Sequence, residues 1–293
     1  MTLKAVAKNA LMVWLLFPAI ALPVSLAARK MGHTDFLPRF FVWLAIIPIF
    51  LSASYLGGWF FFILLTGCCM AACLELVWLK QNPSYSIGRY VIVLTISLPW
   101  LFWAQFDGQF PWRLAVLVLI VSTLLCFFKY NAVGSRWHLV CLALVLGSSL
   151  SFWMLLQKIP GGFRFVLFAF TVVVMTDIMA FLSGKMLSGL RLFPRLSPNK
   201  TLAGFIGGGL SALLVSYIFW FALPEFDFLN ITAAGLLLAV SGAVGDLVAS
   251  MIKRYHGAKD FSRMLGPIGG MLDRLDSMLG AGWVFFVYIQ AFI

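Results

Sequence analysis

The chain has 293 residues, of which 62% are hydrophobic and 11% charged, with 29 Phe, 11 Trp and a formal charge of +11. Soluble domains carry about a quarter charged residues and about half apolar ones, so these proportions exclude an ordinary soluble domain and point to the bilayer as solvent. The surplus of Lys and Arg lies in short segments between apolar runs, not along a basic face interleaved with aromatics, which excludes a nucleic-acid surface and suits anionic lipid headgroups.

Ten apolar runs follow one another at 8–28, 38–56, 59–79, 88–105, 111–128, 137–156, 162–186, 202–223, 229–252 and 276–292. Each is near the length a tilted helix needs to cross about 30 Å of hydrocarbon. The break between the second and third rests on Gly57–Gly58 alone, so nine spans is the alternative. The expected fold is therefore an all-α, polytopic transmembrane bundle of about 9–10 helices. The first run is too long for a signal-peptide core and lacks a small-residue cleavage site, so it is read as retained. With the N-terminus outside and alternating connections, 16 of the 21 Lys and Arg fall on the inward side, including the long 187–201 and 253–275 loops. The positive-inside rule then places those loops in the cytoplasm of an inner-membrane protein.

Cys68, Cys69, Cys73, Cys126 and Cys141 all lie in apolar runs without metal-site or disulfide spacing, and read as small buried hydrophobes. His33 and His138 have no partner at ligand spacing, His256 in the basic loop is within reach of a phosphate but reads first as a plain loop residue, and neither a Walker A loop nor a dinucleotide-binding glycine motif is present. By chemistry the chain divides into a hydrophobic scaffold, 1–160, and a C-terminal part, 161–293, with most of the acids and both long basic loops.

Within that C-terminal part, Asp177 and Asp246 stand inside apolar spans, where an ionised Asp costs at least about 2.5–3.5 kcal/mol. Asp273 and Asp276, three residues apart, share one helical face at the cytoplasmic start of the last span, with Arg274 pointing elsewhere. Ser250 and Lys253 follow Asp246 on its own face. Oxygen ligands from several helices, ringed by Lys and Arg, suit Mg²⁺ carrying a polyphosphate. The plainer alternative is salt bridging of Asp246 or Asp273 to Lys253, Arg254 or Arg274. For Asp177, helix pairing and a direct role stand level. Glu75 lies near the cytoplasmic end of its span and reads as a residue reaching the interface. Gly207–Gly209 read as helix packing and Gly269–Gly270 as functional.

The run 250–277, SMIKRYHGAKDFSRMLGPIGGMLDRLDS, resembles the signature of the phosphatidate cytidylyltransferases (CDP-diacylglycerol synthases), with Ser250, Lys253, Arg254, Lys259, Asp260, Gly269, Gly270, Asp273, Arg274 and Asp276 in matching places. Gly245–Asp246 is similar to the family's Gly-Asp, and SPNKTLAGFIGG, 197–208, to its Ser-Pro-x-Lys-Thr segment through Ser197, Lys200 and Thr201. TDIMAFLSGK, 176–185, resembles the preceding helix with its Asp, here Asp177. The resemblance covers about 170–280. Two positions depart from it: Ile268 replaces a His in the glycine-rich turn, and Ala203 stands where Glu or Gln is usual.

The resemblance implies transfer of CMP from CTP to phosphatidic acid, giving CDP-diacylglycerol and pyrophosphate at the cytoplasmic face. It implies metal binding by Asp246, Asp273 and Asp276, with Mg²⁺ and room for a second cation, and Lys259 and Asp260 beside them in the catalytic set. Ser197, Lys200, Thr201, Ser250, Lys253, Arg254, Arg274, Gly269, Gly270 and Asp177 would bind substrate. CTP, a lipid phosphate and membrane lipids are the implied partners, nucleic acid is not, and a homodimer is one open assembly. Three other readings remain: a CTP-dependent lipid kinase of the polyprenol type, a catalytically silent paralogue motivated by Ile268 and Ala203, and a cation-coupled transporter.

Overall fold

The computed structural model describes residues 3–12, 14, 36–79, 86–106, 111–128, 136–187, 189–194, 197–262, 264–265 and 269–292. Most of the first expected span, with His33, and the departure at Ile268 lie outside the described residues, as do the side chains of Cys126 and His138. After a helical stretch at 3–12, the chain runs through α1 (Phe36–Leu56), α2 (Gly58–Trp78), α3 (Ser86–Phe106), α4 (Trp112–Phe128), α5 (Arg136–Lys158) and α6 (Gly162–Leu187). A hairpin of β1 (Arg191–Phe193) and β2 (Ser197–Thr201) then leads to α7 (Leu202–Ile218), α8 (Phe228–Tyr255) and α9 (Leu272–Gln290). The molecule is an all-α, multi-pass membrane bundle, as its apolar runs predict. Among the described residues, five helices are long and apolar enough to cross a membrane, namely α2, α3, α5, α6 and α8.

The break expected at Gly57–Gly58 is real. Both residues have positive φ, +64° and +48°, a conformation that other residues adopt only at a cost. The sequence predicts one long loop over 187–201, whereas the chain folds part of it into the antiparallel hairpin, pairing Arg191 with Thr201 and Phe193 with Ser197. No apolar periodicity announces so short a polar ribbon, which is why a span-based reading passes over it.

Packing is tightest where side chains are smallest. Gly245 and Gly280 bring α8 and α9 together so closely that a Cβ on Gly245 would strike the backbone of Asp276 and Gly280. Gly204 and Gly208 do the same between α7 and α6, against Ala180, Gly184 and Thr176. Gly207 packs against Ser183, whereas Gly209 of the same run has open space around it. At the centre, Phe50 stacks on Phe170 with centroids 4.2 Å apart and meets Phe61 and Trp153 edge-on. Trp153 on α5 donates from Nε1 to the Met278 carbonyl at 3.1 Å, locking α9 to the scaffold. Cys68, Cys69 and Cys73 carry free thiols.

Candidate active site

Four elements converge on one polar cluster at the hairpin end of the bundle. The close α8–α9 crossing brings Asp246 within electrostatic reach of Asp276. Ser277 joins α9 to α6, because its Oγ donates to Asp177 Oδ2 at 2.7 Å and lies 3.4 Å from Asp276 Oδ1. The Ser277 N–H donates to the same Asp276 oxygen at 2.8 Å. From the hairpin, Lys200 Nζ reaches Asp246 Oδ2 at 2.8 Å and donates to the Ala243 carbonyl at 3.2 Å. The other oxygen of Asp246 faces Ser250 Oγ at 3.5 Å. Thr201 has a local task, accepting the Gly204 N–H at 3.1 Å to cap α7.

Lys253 is the hub. Its side chain is 11% exposed and its Nζ pairs with Asp273 Oδ1 at 2.7 Å, 5.2 Å from the centre of the Phe261 ring. It is also within electrostatic reach of Asp276 and Asp246. The three carboxylates singled out in the sequence are thus gathered around one buried ammonium, and Asp177 joins them from α6. Arg274 lies within electrostatic reach of both Asp177 and Asp276.

The carboxylates are not equivalent, however. Asp273 is fully engaged: besides Lys253, its Oδ2 accepts the backbone N–H of Phe261 at 3.0 Å and of Gly270 at 2.9 Å. Asp177 receives Ser277 at Oδ2, and Asp276 receives Ser277 at Oδ1. Four carboxylates thus meet the basic side chains of Lys200, Lys253 and Arg274 in one cluster. Among the described residues, no three His, Cys, Asp or Glu side chains converge on a single point as a closed metal cage. That is compatible with Mg²⁺, which takes one or two protein carboxylates and completes its shell with water and phosphate oxygens.

The remaining candidates lie at the rim. Lys259 and Asp260 are exposed in the connection after α8, without a described ion pair to the cluster. Arg254 is exposed and donates to the Ala258 carbonyl at 3.2 Å, closing the end of α8. Ser197 begins β2. His256 caps α8, its Nδ1 lying 2.9 Å from the Ile252 carbonyl. Gly269, at φ +99°, turns the chain beneath Asp273, and Leu265 donates to its carbonyl at 3.0 Å.

Glu75 corrects the sequence reading. It does not reach the interface: it is fully buried, 0% exposed. Its Oε1 accepts Ser262 Oγ and the Met271 N–H, and its Oε2 accepts the Leu272 N–H, all at 2.7 Å. Two of the open N–H groups at the start of α9 are therefore met by a carboxylate from α2. The sequence does carry a signal for this. Met271, at the N-cap, cannot cap a helix, so the donors there need a partner from elsewhere.

An apolar cleft of about 370 Å³ runs between α4, α5, α8 and α9. Ile120, Leu124, Val145, Val248 and Trp283 line it, and among the described residues Asp276 is its one charged lining residue. The polar cluster and a slot among the apolar helices thus meet at one side chain.

The chain is 39% identical to the phosphatidate cytidylyltransferase of Staphylococcus aureus over 200 residues, 66% of this chain and 73% of that one. It is 36% identical to the Brucella abortus protein of the same name over 155 residues, 53% of this chain and 57% of that protein, so it spans little more than half of that relative. Over 141 residues, 47% of each chain, it is 38% identical to the uncharacterized protein YnbB of Escherichia coli. The sequence pattern of the cytidylyltransferase family matches residues 37–292, reaching well upstream of the 170–280 segment in which the signature residues lie. The chain belongs to the cytidylyltransferase family.

Proposed function

We propose that the protein is a CTP:phosphatidate cytidylyltransferase of an inner membrane, forming CDP-diacylglycerol and pyrophosphate at a site that faces the cytoplasm. One observation carries this reading: Asp276 belongs both to a buried polar cluster and to the lining of an apolar cleft. Such a junction suits a substrate that is phosphate at one end and hydrocarbon at the other. The names of the S. aureus and B. abortus relatives support the same reaction.

The nucleophile is an oxygen of the lipid phosphate, already ionised near neutral pH, so no protein nucleophile is needed. That oxygen bonds to the α-phosphorus of CTP, the bond from the α-phosphorus to the bridging oxygen breaks, and pyrophosphate leaves with that electron pair. The protein must hold two polyanions in line and offset their charge. Lys200, Lys253 and Arg274 supply fixed positive charge at the cluster, while Lys259 and Arg254 at the exposed rim meet the nucleotide arriving from water. Ser197 and Ser250 supply hydroxyl donors, and Asp260 stands beside Lys259 at that rim. Asp246, Asp276 and Asp177 would hold Mg²⁺, with room for a second cation, and the ion would draw charge from phosphate oxygens. Asp273, with both oxygens engaged, is assigned to holding Lys253 and the turn before α9.

The test uses the purified protein in detergent with Mg²⁺, labelled CTP and phosphatidic acid. Labelled CDP-lipid and pyrophosphate should appear together, and Asp276→Asn should lower the rate at least tenfold. CDP with a newly phosphorylated polyprenol would instead establish the lipid kinase. No product from any lipid acceptor, with turnover gained on Ile268→His, would establish the silent paralogue.

A further inference from the structure

We infer that Glu75 is a positioning residue for the reaction, a carboxylate on α2 that sets the depth of α9 and hence of Asp276 within the cluster. The inference rests on the function proposed above.

A fully buried carboxylate is costly unless its oxygens are satisfied. Among the described residues, Glu75 meets that condition through the segment it holds: Ser262 from the loop after α8, and the N–H groups of Met271 and Leu272 at the first turn of α9. These partners lie 187, 196 and 197 residues away in sequence, so the contact ties the N-terminal helices to the signature region. Asp273 follows Leu272 directly, and Asp276 lies one turn further, so anything that fixes the first turn of α9 fixes both. The N-terminal dipole of α9 favours a negative charge at this point.

Gly270 is the other half of the device. A Cβ at this position would run into the Glu75 carboxylate. The glycine is thus needed so that the carboxylate can approach the backbone. Its neighbour, Gly269, has the positive φ and answers to a different constraint.

Four variants test the inference: Glu75→Gln, which keeps side-chain volume but turns an amide donor towards a backbone N–H; Glu75→Ala, which removes the carboxylate; Gly270→Ala, which pushes the carboxylate away; and the pair Glu75→Ala/Gly270→Ala. Two readouts are used, turnover and hydrogen exchange at the amides of Met271 and Leu272. Each single variant should lower kcat at least tenfold, leave KM for CTP within about twofold, and speed exchange at those amides. The double variant should be no slower than the worse single one, because removing the carboxylate makes room for the methyl group. A wild-type protein without cytidylyltransferase activity would overturn the proposed reaction, while the exchange data would still decide the contact. An active wild type whose Glu75→Gln form keeps its kcat, or its amide protection, would overturn the positioning role. Losses that add in the double variant would do so as well.

Discussion

Replacing Lys253 by Met keeps most of the side chain and removes the charge at the centre of the cluster. Lys253 and Asp273 have side chains 11% and 4% exposed, so water screens little of their interaction. Removing one partner of a buried ion pair leaves the other charge uncompensated and costs about 3–5 kcal/mol. Two features pull the expected value to the lower end. Asp273 keeps the N–H groups of Phe261 and Gly270, and Met keeps an apolar stem against the Phe261 ring. A loss of about 3 kcal/mol follows, or a melting temperature lower by roughly 6–12 °C on the scaling for domains of 150–250 residues. Thermal unfolding in detergent, followed by tryptophan fluorescence, measures it. Asp273→Asn should be comparably harmful, since the amide nitrogen must face either the Lys253 ammonium or two backbone N–H groups. The two substitutions combined should cost less than their sum by at least ~1 kcal/mol. A Lys253→Met protein melting within about 2 °C of wild type, a shift worth under about 1 kcal/mol, would refute the pairing as a structural element.

The second pair in the cluster should behave differently. Lys200 and Asp246 have side chains 24% and 31% exposed, so Lys200→Met should cost no more than about 1 kcal/mol of stability. It should still lower cytidylyl transfer at saturating lipid, checked by comparing melting curves with initial rates. Gly280→Val would force a branched side chain against the Ser241 carbonyl and Gly245, and should cost at least ~1–3 kcal/mol, visible as loss of folded protein on size exclusion. Arg164→Ala breaks the 3.2 Å pair with the half-exposed Glu225 and should change stability by under about 1 kcal/mol with turnover unaltered. Stripping divalent cations with a chelator should abolish transfer, and Mg²⁺ should restore it in the wild type more fully than in Asp276→Asn.

Much of the site could be read from residue type and spacing, because the bilayer penalises charge. An Asp inside an apolar run needs a reason to be there, and Asp177, Asp246, Asp273 and Asp276 do meet in space. What spacing could not supply was how the acids divide their work. Asp273 and Asp276 lie on the same helical face, yet one binds Lys253 and two backbone N–H groups while the other faces Asp246 and Ser277. The difference arises from the turn before α9, where Gly269 and Gly270 bring the backbone under Asp273. The hairpin at 191–201 was hidden for a related reason, since so short a ribbon carries no apolar stripe. It nevertheless delivers Lys200 to Asp246.

Glu75 marks the limit of reading each segment alone. Taken with its own helix, a Glu near a span end is unremarkable, and the interface is the natural place for it. Taken with α9, whose N-cap is Met271, it completes a helix that otherwise begins with unmet N–H donors in a dry environment, a state that hydrocarbon does not tolerate. Two local anomalies far apart in the chain, a glutamate in an apolar span and a helix without a cap, are thus one feature. In a membrane protein every buried donor needs an acceptor inside the protein. Pairing such unmet needs across the sequence therefore identifies tertiary contacts that periodicity cannot, and here it joins the hydrophobic first half of the chain to the carboxylates of the second.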